Sequence, residues 1–309
     1  MRLTFTKCHG SGNDFPLIDA RALGVAAADW PGIARALADR AGPVGGDGIL
    51  LLAGPRGDAA FGMRMFNSDG SEAETCLNGL RCVARAGLES LGLETATVAL
   101  KTSIAEVARV ADLAPGIPAI RTVAGPASTE PAAVGLRVAA PIIDAQMAPL
   151  PSDRVFTAVA MPNPHLVTFV SRIDEAELVA LGQWCEARPP LLADRANVSF
   201  VEKRRGNLFV RTFERGVGLT DACGSAMAAS TYAAALAGRI GWGKTITVFN
   251  PGGYVRAAAA RDGMVTIEGN ATFEWEGEID VDPAAGTARD LVVSRRHEDE
   301  VAAWARLIA

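Results

Sequence analysis

Two cysteines in similar surroundings are the residues of this sequence best placed to do chemistry. Cys76 follows the polar run FNSDGSEAET (66–75) and precedes a helical pattern, LNGLRCVARAGLESLGL (77–93). Cys223 follows the glycine-rich run ERGVGLTDA (214–222) and precedes small residues at helical spacing. Each thiol is therefore predicted to lie at the N-terminus of a helix.

A helix N-terminus gives a thiol two useful neighbours. Unpaired backbone N–H groups and the positive end of the helix dipole favour the thiolate form, whereas Glu72, Glu74 and Asp221 act in the opposite sense, so the net pKa shift stays open. The same N–H groups form a site for a carboxylate. One thiolate could then remove the α-proton of a bound amino acid, and a second thiol could return a proton to the opposite face. That reaction is stereoinversion without a cofactor.

Other interpretations of the cysteines stay open at this point. A buried cysteine commonly acts only as a small hydrophobic residue, and this interpretation is favoured for Cys8, Cys82 and Cys185, which lack such loops. A Cys–His hydrolase with His165 as its base is a second enzymatic option, but it leaves the second cysteine loop unexplained. A redox-responsive thiol protein and a ligand-binding module are the alternatives from a different class.

The composition argues against several kinds of function. The 309 residues carry a formal net charge of −5 without a Lys/Arg-rich block, which argues against nucleic-acid binding. No apolar run is long enough to span a membrane and no signal-peptide pattern is present, so we expect a cytoplasmic protein that does not bind membranes. Five cysteines without a CxxC pair, three histidines and the absence of a phosphate-loop motif predict no metal and no cofactor.

The patterns of strands and helices come in two similar halves. Each half has many short apolar or alternating runs and one long helix that begins at a cysteine. We predict an α+β fold of two pseudo-symmetric domains, each a mixed or antiparallel sheet wrapped around a central helix, with the active site in the cleft between them. The Pro-, Ala- and Gly-rich stretch 122–135 is the best candidate for a domain junction.

Three segments follow from this organisation. Residues 1–130 are assigned to an N-terminal domain that carries the first cysteine, and residues 131–276 to a C-terminal domain that carries the second. Residues 277–309 form a tail that returns to the N-terminal domain. From about residue 284 the tail is predicted to be a loop followed by the amphipathic helix EDEVAAWARLIA.

Seven motifs in a fixed order carry a resemblance to a known family. They are HGSGNDF (9–15), GPVGGDG (42–48), NSDGSEAETCLNGLRC (67–82), MPNPH (161–165), RANVSFVE (195–202), ERGVGLTDACGSA (214–226) and NPGG (250–253). Together they make the chain similar to the diaminopimelate epimerases. These isomerases interconvert LL- and meso-2,6-diaminopimelate without a cofactor, in the biosynthesis of lysine and peptidoglycan precursors. The tail beyond about residue 284 lies outside the resemblance.

The resemblance implies a role for each motif residue. Cys76 and Cys223 would form the acid–base pair, and His165 and Glu214 would tune the two thiols. The reacting carboxylate would be held by backbone N–H groups that follow each cysteine, those of Leu77, Asn78, Gly224 and Ser225. The distal end would be recognised by Asn67, Asn163, Asn197, Glu214 and Arg215, with Asn13 completing the pocket. The resemblance also implies a homodimer with a small-molecule substrate.

Three positions depart from the usual pattern of the family. Leu77 stands where glycine is usual, so a side chain enters and a positive φ there would be strained. Pro162 stands where glycine often precedes Asn-Pro-His, and it lacks an N–H group. Leu219 replaces a glutamate. These differences leave the reaction type intact, but a cofactor-independent racemase of another amino acid stays the close alternative.

Overall fold

The computed structural model describes residues 1–308, which divide into two compact units. The first unit combines Met1–Thr122 with the chain from Glu268 onward, and the second is Val123–Ile267. The three segments expected from the sequence, 1–130, 131–276 and 277–309, remain predictions.

Nineteen strands and six helices occur in the described residues. From the N-terminus they are β1 (Arg2–Gly10), β2 (Asn13–Asp19), α1 (Trp30–Ala38), β3 (Gly48–Ala53), β4 (Phe61–Asn67), β5 (Glu72–Ala73), α2 (Leu77–Leu91), β6 (Thr95–Ala99), β7 (Ile104–Ala114) and β8 (Ile117–Ala124). They continue with α3 (Pro131–Val134), β9 (Ala145–Gln146), β10 (Val155–Ala160), β11 (Pro164–Val170), α4 (Glu175–Glu186), β12 (Asn197–Arg204), β13 (Asn207–Glu214), β14 (Gly218–Thr220) and α5 (Gly224–Leu236). The last are β15 (Ile246–Asn250), β16 (Gly253–Ala259), β17 (Val265–Asn270), β18 (Thr272–Asp282), β19 (Thr287–Arg296) and α6 (Glu298–Ile308). None of these helices is both long and apolar enough to cross a bilayer.

The two units repeat one order of strand pairings. In the first, β1–β2 is antiparallel, β2–β3 parallel, β3–β4 antiparallel, β4–β6 parallel and β6–β7 antiparallel. In the second, the pairs β10–β11, β11–β12, β12–β13, β13–β15 and β15–β16 alternate in the same way. A helix lies in the chain between the two strands of each parallel pair, as such connections require. The predicted α+β fold with two similar halves is confirmed.

One helix in each unit is buried by the strands of its own sheet. In α5 every residue from Ala226 to Ala235 is buried, and most are alanine or serine, so strands can approach on all sides. In α2, Gly87 packs on a ring of the sheet, because a Cβ there would lie 2.5 Å from the Cζ of Phe61. Small residues thus let both helices occupy a central position.

The C-terminal tail forms a strand and a helix. The predicted loop from about residue 284 is wrong, because β19 pairs in antiparallel fashion with β18 and obtains its hydrogen bonds there. The sequence of β19 lacks a clear apolar alternation because most of its side chains are exposed. In α6, Glu300 pairs with Arg85 of α2 at 2.6 Å, and the ring of Trp304 lies 5.0 Å from that of His9 on β1.

Candidate active site

Cys76 is the N-cap residue of α2. Its backbone is extended, with φ −148° and ψ 108°, and its Sγ accepts a hydrogen bond from the N–H of Gly79 at 3.3 Å. The half-buried thiol therefore takes the place that a serine or aspartate oxygen usually takes at a helix start. The predicted position of Cys76 at a helix N-terminus is confirmed.

The chain enters α2 without backbone strain at Leu77. Among residues 1–308 the non-glycine residues with positive φ are Ser11, Asp144, Arg188, Arg205 and Asp290. Leu77 is not one of them, and its side chain packs against the apolar core of the first unit. Helix geometry leaves the N–H groups of Leu77 and Asn78 without acceptors inside the helix, so both can serve a ligand.

Asn13 faces Cys76 from the start of β2. Its Oδ1 accepts a hydrogen bond from the Sγ of Cys76 at 3.7 Å and another from the Nδ2 of Asn78 at 3.4 Å. Its Nδ2 donates to Oδ2 of Asp47, a residue of the GPVGGDG motif that was not among the predicted site residues. The three N-terminal motifs therefore meet around the first thiol.

The hairpin turn before Asn13 has a backbone that few residues adopt. Ser11 has φ 53° and Gly12 has φ 82°, and Gly10 pairs with Asn13 across the turn. Two successive positive φ angles match the twist of a two-residue hairpin. The N–H of Ser11 also donates to the buried Oδ1 of Asn270 at 2.7 Å, which fixes the turn.

Asn67 is hydrogen-bonded within its own turn. It ends β4, and its Nδ2 donates to the Oγ of Ser71 at 2.9 Å within the turn that leads to β5. Its N–H donates to the carbonyl of Ser71 at 2.8 Å. The structure thus groups Asn13 and Asn78 with Cys76, whereas Asn67 is bound in its own turn.

Cys223 is the N-cap residue of α5 and is buried. Its Sγ lies 3.5 Å from the Oγ of Ser225. Burial raises the pKa of the thiol well above its ordinary value, and the charge of Glu214 raises it further. Two groups lower the pKa of Cys223, the hydroxyl of Ser225 and the N–H of Ala226. The N–H of Ala226 faces the sulfur but does not form a hydrogen bond of normal geometry with it. The net result is a protonated thiol at neutral pH.

Two carboxylates that are close to the thiols in the sequence form hydrogen bonds with arginine side chains. Asp221 accepts a hydrogen bond from Nη1 of Arg211 at 2.8 Å. Glu72 accepts one from Nε of Arg64 at 2.7 Å. The carboxylate that raises the pKa of Cys223 belongs to Glu214, so the expectation for Asp221 was wrong.

A chain of polar contacts joins five of the predicted site residues in the second unit. Asn163 donates from Nδ2 to the Oγ of Ser225 at 3.3 Å, and its Oδ1 lies 3.1 Å from Nε2 of His165. The Nδ2 of Asn197 lies 3.4 Å from the same ring nitrogen, and its Oδ1 accepts from the N–H of Arg215 at 2.9 Å. The strands set this grouping, because His165 and Asn197 pair directly between β11 and β12.

His165 is fully buried and neutral. Burial lowers its pKa to about 3, and the charge of Arg215 acts in the same direction. The shorter contact, to Asn163, assigns the proton to Nε2, so the amide nitrogen of Asn197 is a close neighbour of the ring and not a second hydrogen-bond partner. Nδ1 is buried without a hydrogen-bond partner among the described residues. A ring with this pKa is a poor base for a thiol, which disfavours the Cys–His hydrolase.

Arg215 presents a guanidinium group that is about one third exposed. Its Nη1 lies 3.7 Å from Oδ2 of Asp194, whose side chain is half exposed. Such an exposed and long ion pair contributes little stability. The planar guanidinium can therefore exchange Asp194 for a ligand carboxylate held by two hydrogen bonds.

The other departures from the family pattern lie outside these contacts. Pro162 is in the tight turn between β10 and β11, where the N–H of Met161 donates to the carbonyl of Asn163 at 2.9 Å. Leu219 packs against the apolar core of the second unit. Within residues 1–308, no three His, Cys, Asp or Glu side chains are grouped so as to hold a metal ion.

The fold is that of a class of amino-acid epimerases and racemases. A hydroxyproline epimerase from Agrobacterium vitis superposes with a TM-score of 0.65 over 92% of this chain and 94% of its own, at 14% identity. The family model for diaminopimelate epimerase matches residues 5–112 and 157–274.

Sequence relatives agree with the family model. A diaminopimelate epimerase from Listeria innocua is 37% identical over 306 residues, which cover 93% of this chain and 91% of the relative. One from Lactiplantibacillus plantarum is 35% identical over 99% of this chain and 100% of the relative. The chain belongs to the diaminopimelate epimerase family and is an isomerase.

Proposed function

We propose that this chain interconverts LL- and meso-2,6-diaminopimelate by proton transfer between two thiols and one α-carbon, without a cofactor. The observation that carries the proposal is the equivalent position of the two cysteines. Cys76 and Cys223 are each the N-cap residue of the central helix of their unit, after the same order of strand pairings. Relatives at 35–37% identity bear the name of this activity.

The reaction needs one thiolate and one thiol. The raised pKa of Cys223 suits it to donate a proton, and Cys76 then acts as the base in that direction. The thiolate takes the α-proton, the electron pair spreads into the substrate carboxylate, and the second thiol gives its proton to the opposite face of the carbon. The protonation states of the two sulfurs are exchanged by each turnover, so the reverse reaction starts from the other thiol.

The helix N-termini stabilise the charge that develops on the carboxylate. The N–H groups of Leu77 and Asn78 begin α2, and those of Gly224 and Ser225 begin α5. Free N–H groups at a helix start bind anions and need no reorganisation when charge builds up. This stabilisation replaces the electron sink that a cofactor would supply.

The distal end of the substrate is recognised by the side chains of the second unit. Arg215 binds the distal carboxylate, and Glu214 compensates the distal ammonium group. Asn163 and Asn197 supply neutral hydrogen bonds, since both amides lie in the chain that runs from Ser225 to Arg215. Asn67 donates one hydrogen bond to Ser71, and its amide has further donor and acceptor capacity for a ligand.

The family relationship supports proposals about the biological role, the cellular compartment and the oligomeric state. We propose that the product serves lysine and peptidoglycan precursor biosynthesis, and that the protein acts in the cytoplasm as a homodimer. Light scattering of the purified protein tests the assembly, because a mass of one chain, 32.1 kDa, would contradict it.

The activity is tested by following α-proton exchange in deuterated water by NMR. The substrates are LL- and meso-diaminopimelate, lysine, glutamate and proline. We expect rapid exchange and epimerisation for diaminopimelate alone, and a loss of at least about a thousandfold in Cys76→Ala and Cys223→Ala. If another amino acid is turned over in preference to diaminopimelate, the proposed substrate is wrong. Full activity of either alanine variant would refute the two-thiol scheme.

A further inference from the structure

Arg81 is a fully buried arginine one turn into α2. Its relative exposure is 0%, and a Cβ at Gly10 would lie 3.0 Å from its Nη2, so the glycine of the first motif leaves room for it. Arginine is rarely buried unless a carboxylate pairs with it. The partners of this side chain are therefore informative.

All four groups that accept hydrogen bonds from Arg81 are neutral. Two of them are backbone carbonyls, with Nε 3.0 Å from the oxygen of Asn270 and Nη1 3.4 Å from that of Leu77. Its Nη2 donates to the Oγ of Ser11 at 3.0 Å and to Oδ1 of Asn78 at 2.9 Å. The guanidinium is satisfied as a donor, but its charge is not balanced by these partners.

The charge acts on the thiols of the same helix. Burial lowers the pKa of Arg81 to about 10, and the groups that favour its charged form are Cys82 and Cys76. Arg85, one turn further along α2, differs from Arg81 because carboxylates balance its charge. Burial would lower its pKa, but hydrogen bonds and charges of Glu300 and Glu89 raise it.

Two amides connect Arg81 to the site. Because Nη2 occupies the oxygen of Asn78, the Nδ2 of that amide points to Oδ1 of Asn13. Asn13 is oriented in turn, so its oxygen accepts the hydrogen bond of the Cys76 thiol. The direction of the Asn78 amide therefore follows from the donor at Arg81, whereas that of Asn13 is set by Asn78 together with Asp47, which accepts from its Nδ2.

The other titratable groups packed around this part of α2 are neutral or paired. On β1, burial raises the pKa of Cys8 well above its ordinary value and lowers that of His9 to about 4. Cys82 lies on α2 itself. Among the charged groups of the neighbouring elements, Lys7 and Arg40 pair with Asp14, Arg40 also pairs with Asp47, and Arg85 pairs with Glu300. Burial raises the pKa of Glu274 on β18 above its ordinary value. Arg81 is a buried cation whose charge interacts with Cys76.

We propose that Arg81 is a positioning residue that orients Asn78, whose amide in turn contacts Asn13 beside Cys76. Its buried charge favours the thiolate form of Cys76, against the acceptor oxygen of Asn13, which favours the thiol. The proposal rests on the proposed function, in which Cys76 must act as a base. In this role Arg81 supplies the positive charge near the thiol that a histidine or lysine would otherwise supply.

The test is the pH dependence of alkylation of each cysteine by iodoacetamide, read peptide by peptide by mass spectrometry. In Arg81→Met we expect the midpoint for Cys76 to rise by about one pH unit, which is a tenfold loss of thiolate below the midpoint. The midpoint for Cys223 should stay unchanged. Alkylation needs no turnover, so a failure here is distinct from a wrong substrate.

Two further variants separate charge from hydrogen bonding. Arg81→Gln can still donate to Asn78 but carries no charge, whereas Arg81→Lys keeps the charge. We expect the Cys76 midpoint of the Gln variant to lie about one pH unit above that of the Lys variant, even if the Met variant does not fold. Arg85→Met is the matched control on the same helix. Equal midpoints in the Gln and Lys variants, or an equal shift in Arg85→Met, would overturn the proposal.

Discussion

The carboxylate of Glu214 faces the buried thiol of Cys223, and its charge adds to burial in raising the pKa of that thiol. The hydroxyl of Thr220 donates to Oε1 of Glu214 at 2.7 Å, which fixes the carboxylate in this position. Glu214 therefore favours the protonated form of Cys223.

Removal of the charge at Glu214 should make Cys223 easier to deprotonate. In Glu214→Gln we expect the alkylation midpoint of Cys223 to fall by about one pH unit, because a neighbouring negative charge disfavours the thiolate. Cys76 serves as the reference in the same molecule. An unchanged Cys223 midpoint in the folded variant would show that burial alone sets this pKa.

Arg215 should set the choice between diaminopimelate and lysine. Lysine lacks the distal carboxylate and would leave the guanidinium without its ligand, a penalty of roughly 3–5 kcal/mol if the bound site is closed to water. We expect diaminopimelate to exceed lysine at least about a hundredfold in kcat/KM. Arg215→Met should lose most of this preference, and Arg188→Met, a change at another arginine that is largely exposed, is the control. Comparable turnover of both substrates by the unmodified enzyme would contradict this role.

Acid should destabilise the protein before its carboxylates titrate. Burial lowers the pKa of His165 to about 3 and that of His9 to about 4, whereas an unfolded histidine has a pKa of 6.5. The unfolded state binds more protons between these values, so the free energy of unfolding falls as pH falls, by about 2 kcal/mol per histidine from pH 7 to pH 5. Urea unfolding at both pH values measures this loss. It should be about 2 kcal/mol smaller in His165→Gln, and equal losses would contradict the neutral state of this ring.

The close approach of β1 to α2 makes a further prediction about stability. A Cβ at Gly10 would lie 2.6 Å from the carbonyl oxygen of Asn78, a backbone atom that cannot move aside easily. We expect Gly10→Ala to lower the free energy of unfolding by about 1–3 kcal/mol. Gly54→Ala is the matched control, since no atom lies within 4 Å of its added Cβ. Equal stabilities of the two variants would show that α2 has room to shift.

Local sequence signals predicted the elements that carry the thiols. The change from a polar, glycine-containing run to helical spacing located Cys76 and Cys223 at helix starts, and α2 and α5 begin at the next residue in each case. The strand β3 coincides with the run GILLLA, because a fully buried strand is apolar throughout. The hydrophobic pattern predicts these elements because the burial of their side chains follows that pattern closely.

Features that depend on distant contacts could not be predicted in this way. No local pattern indicates the strand β19, because its exposed side chains lack alternation and its hydrogen bonds depend on β18. Asp221 is closer to Cys223 in the chain than Glu214 is, yet it pairs with Arg211 across the sheet. The burial of Arg81 is equally a tertiary property. The one available signal in the sequence was a charged residue within the apolar face of the helix after Cys76.

The central claim is that two different thiols handle the two faces of one α-carbon, and the hydrogen isotope in product and recovered substrate tests it most directly. LL-diaminopimelate is incubated with the enzyme in deuterated water and examined at low conversion by mass spectrometry. We predict one deuterium at the inverted carbon of the meso product and almost none in the recovered substrate, because the proton leaves to one sulfur and a solvent-derived deuteron arrives from the other. A product that retains its original α-hydrogen would contradict the account, since it would require a single base that serves both faces.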